Sequence, residues 1–227
     1  MNFASFFLIF VSLTVTVYSE TVVLSAIDGT ERSTEITIQI LTEAYRRIGY
    51  LVEIKKYPAG RALIVANDGE VDGELARIEG IDLEYKNLIR VPVLIHTNEL
   101  CVFTMDTSMK ISTWSDLKPY IVGYRFGLKN IETSLPVEVQ KYGVSHLDQA
   151  FQMLSFHRVD AVLAPMEAGM ETIKKLGLNG IIRIPKPLSS NRLYHYLHIK
   201  NTHLLGPLTE TLQKMTEDGT IRRLSTP

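Results

Sequence analysis

The sequence predicts an α/β fold in two lobes, each a mixed, mostly parallel sheet flanked by helices, joined by a two-strand hinge. Three observations carry this. The chain opens with strand, helix and strand patterns in that order, and a β-α-β unit sets its two strands parallel. A second series of the same kind begins at Tyr120. Two extended runs, residues 99–105 and 191–199, are placed where strands crossing between lobes belong.

The elements follow in order. Residues 21–27, TVVLSAI, are an apolar, partly β-branched run that reads as a buried strand ending at Asp28-Gly29. Ser33 or Thr34 caps the next helix, where Ile36, Ile40, Ala44 and Ile48 recur at helical spacing until Gly49 stops it. Residues 51–56 are the second strand. A short helix signal, an Asn67-Asp68-Gly69 turn and a strand-like piece ending at Arg77 come next. Residues 88–95 are extended, with Pro92 marking an edge or a bend. Residues 99–105 follow closely. Ser115-Asp116 marks a turn or helix start, and Trp114 beside it reads as a packing residue.

In the second series, residues 121–124 are a short strand, and Gly123 and Gly127 flank a loop. Thr133, Ser134 and Pro136 fit a helix start. Leu147, Ala150, Phe151 and Leu154 mark a helix face, and residues 159–164 a buried strand. Residues 167–175 are helical up to Gly177, and residues 181–184 are extended. After the run 193–199, Leu204, Leu205, Leu208, Leu212 and Met215 share one face of a last helix that Gly219 ends. The expected division is a leader at 1–19, a first segment of lobe one at 20–103, lobe two at 104–191, and a return to lobe one with the C-terminal helix at 192–227.

Composition narrows the class. With 45% hydrophobic and 22% charged residues the chain shows neither a disordered nor a coiled-coil bias. A formal net charge of −1 supplies no basic field for nucleic acid or an anionic membrane surface. Residues 6–17 are apolar apart from Ser12, Thr14 and Thr16, and Val17-Tyr18-Ser19 has the small-x-small form of a cleavage site. A secretory signal peptide cut near Ser19, and export to the periplasm, are expected. The apolar run is shorter than the ~20 residues of a spanning helix, and its n-region has no Lys or Arg. Cys101 is the single cysteine, so no intramolecular disulfide forms, and within LCVF it reads as a small buried hydrophobe. His195 and His198 lie in an alternating strand pattern and read as structural. No His/Cys/Asp group has metal-ligand spacing, so neither metal nor cofactor is expected.

The stretch 57–80 organises the candidate site. Open α/β sheets bind ligands at the carboxyl edge of their parallel strands. Tyr57 ends one strand, Arg61 lies early in a helix, and Glu74 and Arg77 lie on the next strand. These four are expected to converge on a small pocket. Arg77 offers a rigid fork of donors suited to carboxylate or phosphate, or else it pairs with Glu74 or Glu79. A cation in the first turn of a helix opposes the dipole, so Arg61 needs an anion nearby, such as Glu31, or is solvated. Tyr57 lies against the ligand or covers the core, and Glu74 faces pocket or surface. Arg125 lies inside the Gly123–Gly127 loop, whose amides suit an anion, or it is solvated. Glu167 grips an amine, or serves its own helix N-terminus.

Four segments carry a family resemblance. GEVDGELAR resembles the "G-x-x-D" strand entry of lobe one, and WSDLKPYIVGYRFG the "DL-x-x-x-x-V-G-x-x-x-G" opening of lobe two. HRVDAVLA resembles a "G-R-x-D-A" strand, and LTETLQKMTEDGTIRRL a closing helix "L-x-x-x-L-x-x-M-x-x-D-G-T-I-x-x-I". In this order, over nearly all of the mature chain, they resemble bacterial extracellular solute-binding protein family 3, the periplasmic proteins that serve polar amino acid ABC transporters. The resemblance implies a type II periplasmic binding fold. It implies a small polar or acidic, amino-acid-like metabolite held between two lobes, at Tyr57, Arg61, Glu74, Arg77, Arg125 and Glu167. The implied partners are membrane subunits of a transporter, or a membrane sensor; the implied state is a monomer. The chain departs from the family's amino-acid clamp at Leu128, after Gly127, and at Pro165, where an aspartate is usual. A periplasmic enzyme resembling cyclohexadienyl dehydratase is the alternative, with Glu74 or Glu167 as its acid or base. No nucleophile–base pair supports it.

Overall fold

The computed structural model describes residues 20–29 and 32–225. The expected signal peptide lies outside the described residues, as does Glu31, the suggested partner of Arg61. The chain order is β1 (Glu20–Ile27), α1 (Arg32–Arg47), β2 (Tyr50–Tyr57), α2 (Ala59–Asn67), β3 (Gly73–Ile78), β4 (Leu88–Thr104), β5 (Ile121–Arg125), α3 (Lys129–Ser134), β6 (Gln140–Val144), α4 (Leu147–Ser155), β7 (Ala161–Pro165), α5 (Met166–Leu176), β8 (Ile182–Arg183), β9 (Ser189–His198), α6 (Leu205–Glu217) and α7 (Thr220–Ser225).

The strands pair in the order β2-β1-β3-β9-β4-β7-β5-β6, with β8 also on β4. β1 runs parallel to β2 and β3, and β5 runs parallel to β6 and β7. Between these two parallel sets, β4 and β9 are antiparallel to each other along most of their length. β9 also lies antiparallel to β3, and β4 antiparallel to β7. The two crossing strands are therefore shared by both halves of the sheet.

Helices cover both faces of each half. In the first, Ile40, Leu41 and Ala44 of α1 meet Leu208, Leu212 and Met215 of α6, while Leu63 and Val65 of α2 pack on Tyr194 and Tyr196. In the second, Leu117, Val122, Ile131 and Leu163 form one cluster, and Phe103, Phe151, Leu154 and Val162 the other. α1 is well placed by its own charges, with Glu35 in its first turn and Arg46 and Arg47 in its last. Cys101 is fully buried.

Four local expectations change. Residues 88–95 and 99–105 join into the single strand β4. Its ladder to β9 is irregular between Arg90 and Leu94, around Pro92, which has no N–H to donate. Thr133 and Ser134 end a helix and do not begin one. Leu135 is extended there, because a residue before proline is pushed out of the α region. β6 was not foreseen: its residues, QKYGV, are mostly exposed on an edge strand and lack apolar alternation. Ser33 and Thr34 do not cap α1, because the helix already runs from Arg32.

Candidate functional site

On β3, Glu74 and Arg77 are three residues apart, a spacing that puts side chains on opposite faces of a regular strand. The pairing with β9 slips between these two positions, and such an irregularity re-aims side chains. Arg77 Nε donates to Glu74 Oε1 at 2.7 Å, and Arg77 Nη2 donates to the Ala59 carbonyl at 2.6 Å. Ser25 Oγ of β1 donates to the other Glu74 oxygen. Glu74 is 0% exposed and Arg77 5%. Burial pushes the Glu74 carboxyl up, against the Arg77 guanidinium and the Ser25 hydroxyl, which pull it down.

The network continues behind the strand. His195 Nδ1 lies 2.8 Å from the Glu74 carbonyl oxygen, which only accepts, so Nδ1 carries the proton. Nε2 then accepts from the Tyr45 hydroxyl of α1 at 2.9 Å. Burial pushes His195 down to about 4, against the pull of the Leu75 and Glu74 carbonyls, and raises Tyr45, so both stay neutral near pH 7. His195 is thus structural.

The second half supplies the opposite wall. Arg125, at the end of β5 and 6% exposed, donates from Nη1 to the Asp28 carbonyl at 3.2 Å. Gly127 has φ +84, and a Cβ there would lie 2.8 Å from the Gly60 Cα. Only a residue without a side chain allows this approach of the loop to α2. Lys129 Nζ reaches Glu84 Oε1 at 2.9 Å, and His146 Nδ1 reaches Asp28 Oδ2 at 3.2 Å. The Arg32 amide donates to Glu171 Oε1 at 3.1 Å. These contacts shut the halves on each other.

Between them lies a cavity of about 110 Å³. Arg77 and Arg125 line it from opposite halves, with Ser33, Thr34 and Thr37 of α1 and Lys129 and Asn130 of α3. Asn98 and Asn191, paired on β4 and β9 with their side chains 3.2 Å apart, close it at the crossing strands. Ile27, Leu75, Ile78, Leu128, Leu193 and Pro165 provide apolar wall.

Of the six expected residues, the structure brings Arg77 and Arg125 to this cavity. Glu74 stands behind Arg77 and does not line the cavity. Tyr57 packs against the α2 cluster, and its carbonyl accepts from the Asp28 amide. Arg61 is 54% exposed in its side chain and pairs with Glu70 at 3.4 Å. Glu167 lines an adjoining cavity with Glu99, His96 and Ser190, which shares Ser33, Asn98 and Pro165 with the first. Its Oε2 is buried without a hydrogen-bond partner among the described residues. The sequence reading missed Lys129, Asn98 and Asn191. Two asparagines inside the extended runs were the available signal, since strand interiors disfavour Asn. Among the described residues no group of His, Cys, Asp and Glu is arranged to hold a metal.

With this geometry in hand, the chain can be set beside known proteins. No family model matches it. A protein of Shewanella oneidensis, itself of uncharacterised function, is 28% identical over 195 residues, which is 81% of this chain and 72% of that one. An ancestral arginine-binding protein bound to arginine superposes with TM-score 0.73 at 18% identity, over 90% of this chain and 96% of that one. The GluR0 ligand-binding core with L-glutamate gives TM-score 0.77 at 10% identity, over 91% and 97%. An ancestral amino acid-binding protein, a precursor of cyclohexadienyl dehydratase, gives 0.71 at 16%, over 90% and 93%. At these identities the shared property is the fold, and it is that of the type II periplasmic binding proteins.

Proposed function

We propose that this chain is a solute-binding protein akin to extracellular family 3. It captures a small polar or acidic metabolite between two lobes in the periplasm and presents it to an ABC transporter. One observation carries the reading: two buried arginines, Arg77 and Arg125, line one cavity from opposite halves of the sheet. Each guanidinium already has protein partners, Glu74 and the Ala59 carbonyl for Arg77 and the Asp28 carbonyl for Arg125, and an anionic or strongly accepting ligand would add to them. The neighbours that bind arginine and L-glutamate support a solute of that size. β4 and β9 act as the hinge, with lobe one formed by residues 20–103 and 192–227 and lobe two by 104–191. The solute favours the closed arrangement because it touches both walls only there.

Binding, not catalysis, is the activity proposed. Both Glu74 oxygens are engaged by Arg77 and Ser25, away from the cavity, so this carboxyl is not free to exchange a proton with a bound solute. The test is a thermal-shift screen of the purified protein against amino acids, dicarboxylates and aromatic acids. A hit that raises Tm, is recovered unchanged and lowers the radius of gyration in small-angle scattering is the expected outcome. A compound converted to product over time would point instead to the enzyme. Arg77→Ala is expected to lower affinity for the hit about 100-fold or more, by removing a charge-assisted donor and unpairing its surroundings. Unchanged affinity in calorimetry would take Arg77 out of the site.

A further inference from the structure

We propose that Lys129 is a positioning residue of the cleft: closure hands its ammonium from Glu132, on its own helix, to Glu84 of the first half, which frees Glu132 to fix the Gly127 loop. This deepens the solute-binding reading and rests on its hinge. Lys129 is the first residue of α3 and lines the cavity. A cation at that position gains nothing from its own helix, whose first turn favours an anion. Its partners lie in both halves. Lys129 Nζ is 2.9 Å from Glu84 Oε1 and 5.5 Å from the centre of the Tyr85 ring, and both residues follow β3 in the first half. Glu132 Oε2, in the second half, is 3.7 Å away. The Glu84 carboxylate is the main cause that raises the Lys129 ammonium above its ordinary range. When the halves meet, the cation belongs chiefly to the first half.

Glu132 carries the effect to the cavity wall. Its Oε1 accepts from the Gly127 amide at 2.7 Å. Gly127 is the residue whose missing side chain lets the loop meet Gly60 of α2. Gly60 follows Ala59, whose carbonyl accepts from Arg77, and Arg125 stands two residues before Gly127. The loop that Glu132 holds is thus joined along the chain to one arginine and by contact to the segment that holds the other. Once the halves part, Glu84 and Tyr85 withdraw, and Glu132 is the acceptor left to Lys129. An ammonium drawn onto Glu132 shares its carboxylate with the Gly127 amide and weakens that bond. The pair with Glu84 is solvent-reached, Glu84 being 57% exposed in its side chain, so it adds little to folding and acts on the closure equilibrium.

Single-molecule energy transfer in the purified, solute-free protein reads the closure. Dyes go on cysteines introduced as Lys55→Cys on β2 and Lys141→Cys on β6, the two outermost strands, whose separation changes when the sheet bends between its halves. Cys101 is fully buried and takes no dye. Lys129→Met and Glu84→Gln are each expected to lower the closed-to-open ratio about threefold or more, and the double variant no further than either alone. Lys129→Arg keeps the charge and the ring contact and is expected to restore the ratio. An unmoved ratio in folded variants, or losses that simply multiply in the double variant, would overturn the proposal.

Amide exchange followed by NMR separates this hand-over from a simple tie between the halves. Glu84→Gln leaves the ammonium to Glu132, whereas Lys129→Met removes it. The Gly127 amide is expected to exchange about threefold or more faster in Glu84→Gln than in Lys129→Met. Equal rates would overturn the proposal. Should Lys129→Met fail to fold, Glu84→Gln set against the wild type carries both measurements. A wild-type protein that shows one state only removes the hinge together with this proposal. Two states with an unmoved ratio remove the proposal alone and leave the solute-binding reading to its own screen.

Discussion

On β3, Arg77 is fastened by buried groups that run through Glu74 and His195 to Tyr45 on α1. Across the cavity, Arg125 sits beside a loop whose ties to the first half pass through solvent-reached side chains, such as His146, 58% exposed, and Lys129. The first wall is set by folding itself, since Glu74, His195 and Tyr45 are hydrogen-bonded in the dry interior of one half. The second wall is set by closure. Its contacts to the first half form only when the halves meet, and exposed ion pairs contribute little individually. In the solute site proposed above, one wall set by folding and one set by docking would separate the cost of folding from the act of capture.

That contrast can be broken by substitution. The largest effect is expected for Glu74→Ala, which leaves a buried guanidinium without its counter-charge. Breaking a buried pair costs about 3–5 kcal/mol, to be read from urea denaturation, and solute binding should weaken with it. A loss below about 1 kcal/mol would show that the first wall does not depend on this pair.

The next effect is one of pH. His195 takes up its second, charging proton only below about 4 in the folded protein, against 6.5 as its ordinary value. Between these values the unfolded chain binds more protons, so stability falls as pH drops from 6.5 toward 4, by ~3 kcal/mol. Glu74, raised by burial, works in the opposite sense, its stabilising share shrinking as pH rises above the ordinary carboxyl value of 4.5. His195→Gln should flatten the histidine's part of the profile. The same acid slope in that variant would remove His195 as its source.

The smallest effect is expected for His146→Ala on the second wall. Stability should change by less than about 1 kcal/mol, because the pair with Asp28 is exposed, while solute release in stopped-flow kinetics should quicken. A large loss of stability would mean that the second wall is also built during folding.

Much of the fold was legible in the residues. The apolar runs of β1 and β7, the alternating β2 and the helical repeat of α1 are where the pattern puts them, because burial of one face leaves a period that survives in sequence. β6 escaped because an exposed edge strand leaves no such period. Within the site, Arg77 and Arg125 were visible as cations near the binding edge. Arg61 looked the same, yet it turns to Glu70 on the surface, since nothing in a first-turn arginine says which side of its helix meets the second half.

The sequence by itself determined the two β-α-β series, the crossing strands and a pair of arginines near the sheet edge. Each depends on local periodicity or on the order of elements along the chain. Only the tertiary structure decided that Glu74 would be sealed behind Arg77 and not on the cavity wall, because that follows from the slipped β3–β9 register. Only it decided that Lys129, Asn98, Asn191 and Pro165 would share one cavity. Those neighbours are far apart in the chain and meet through strand pairing and closure, which no local pattern encodes.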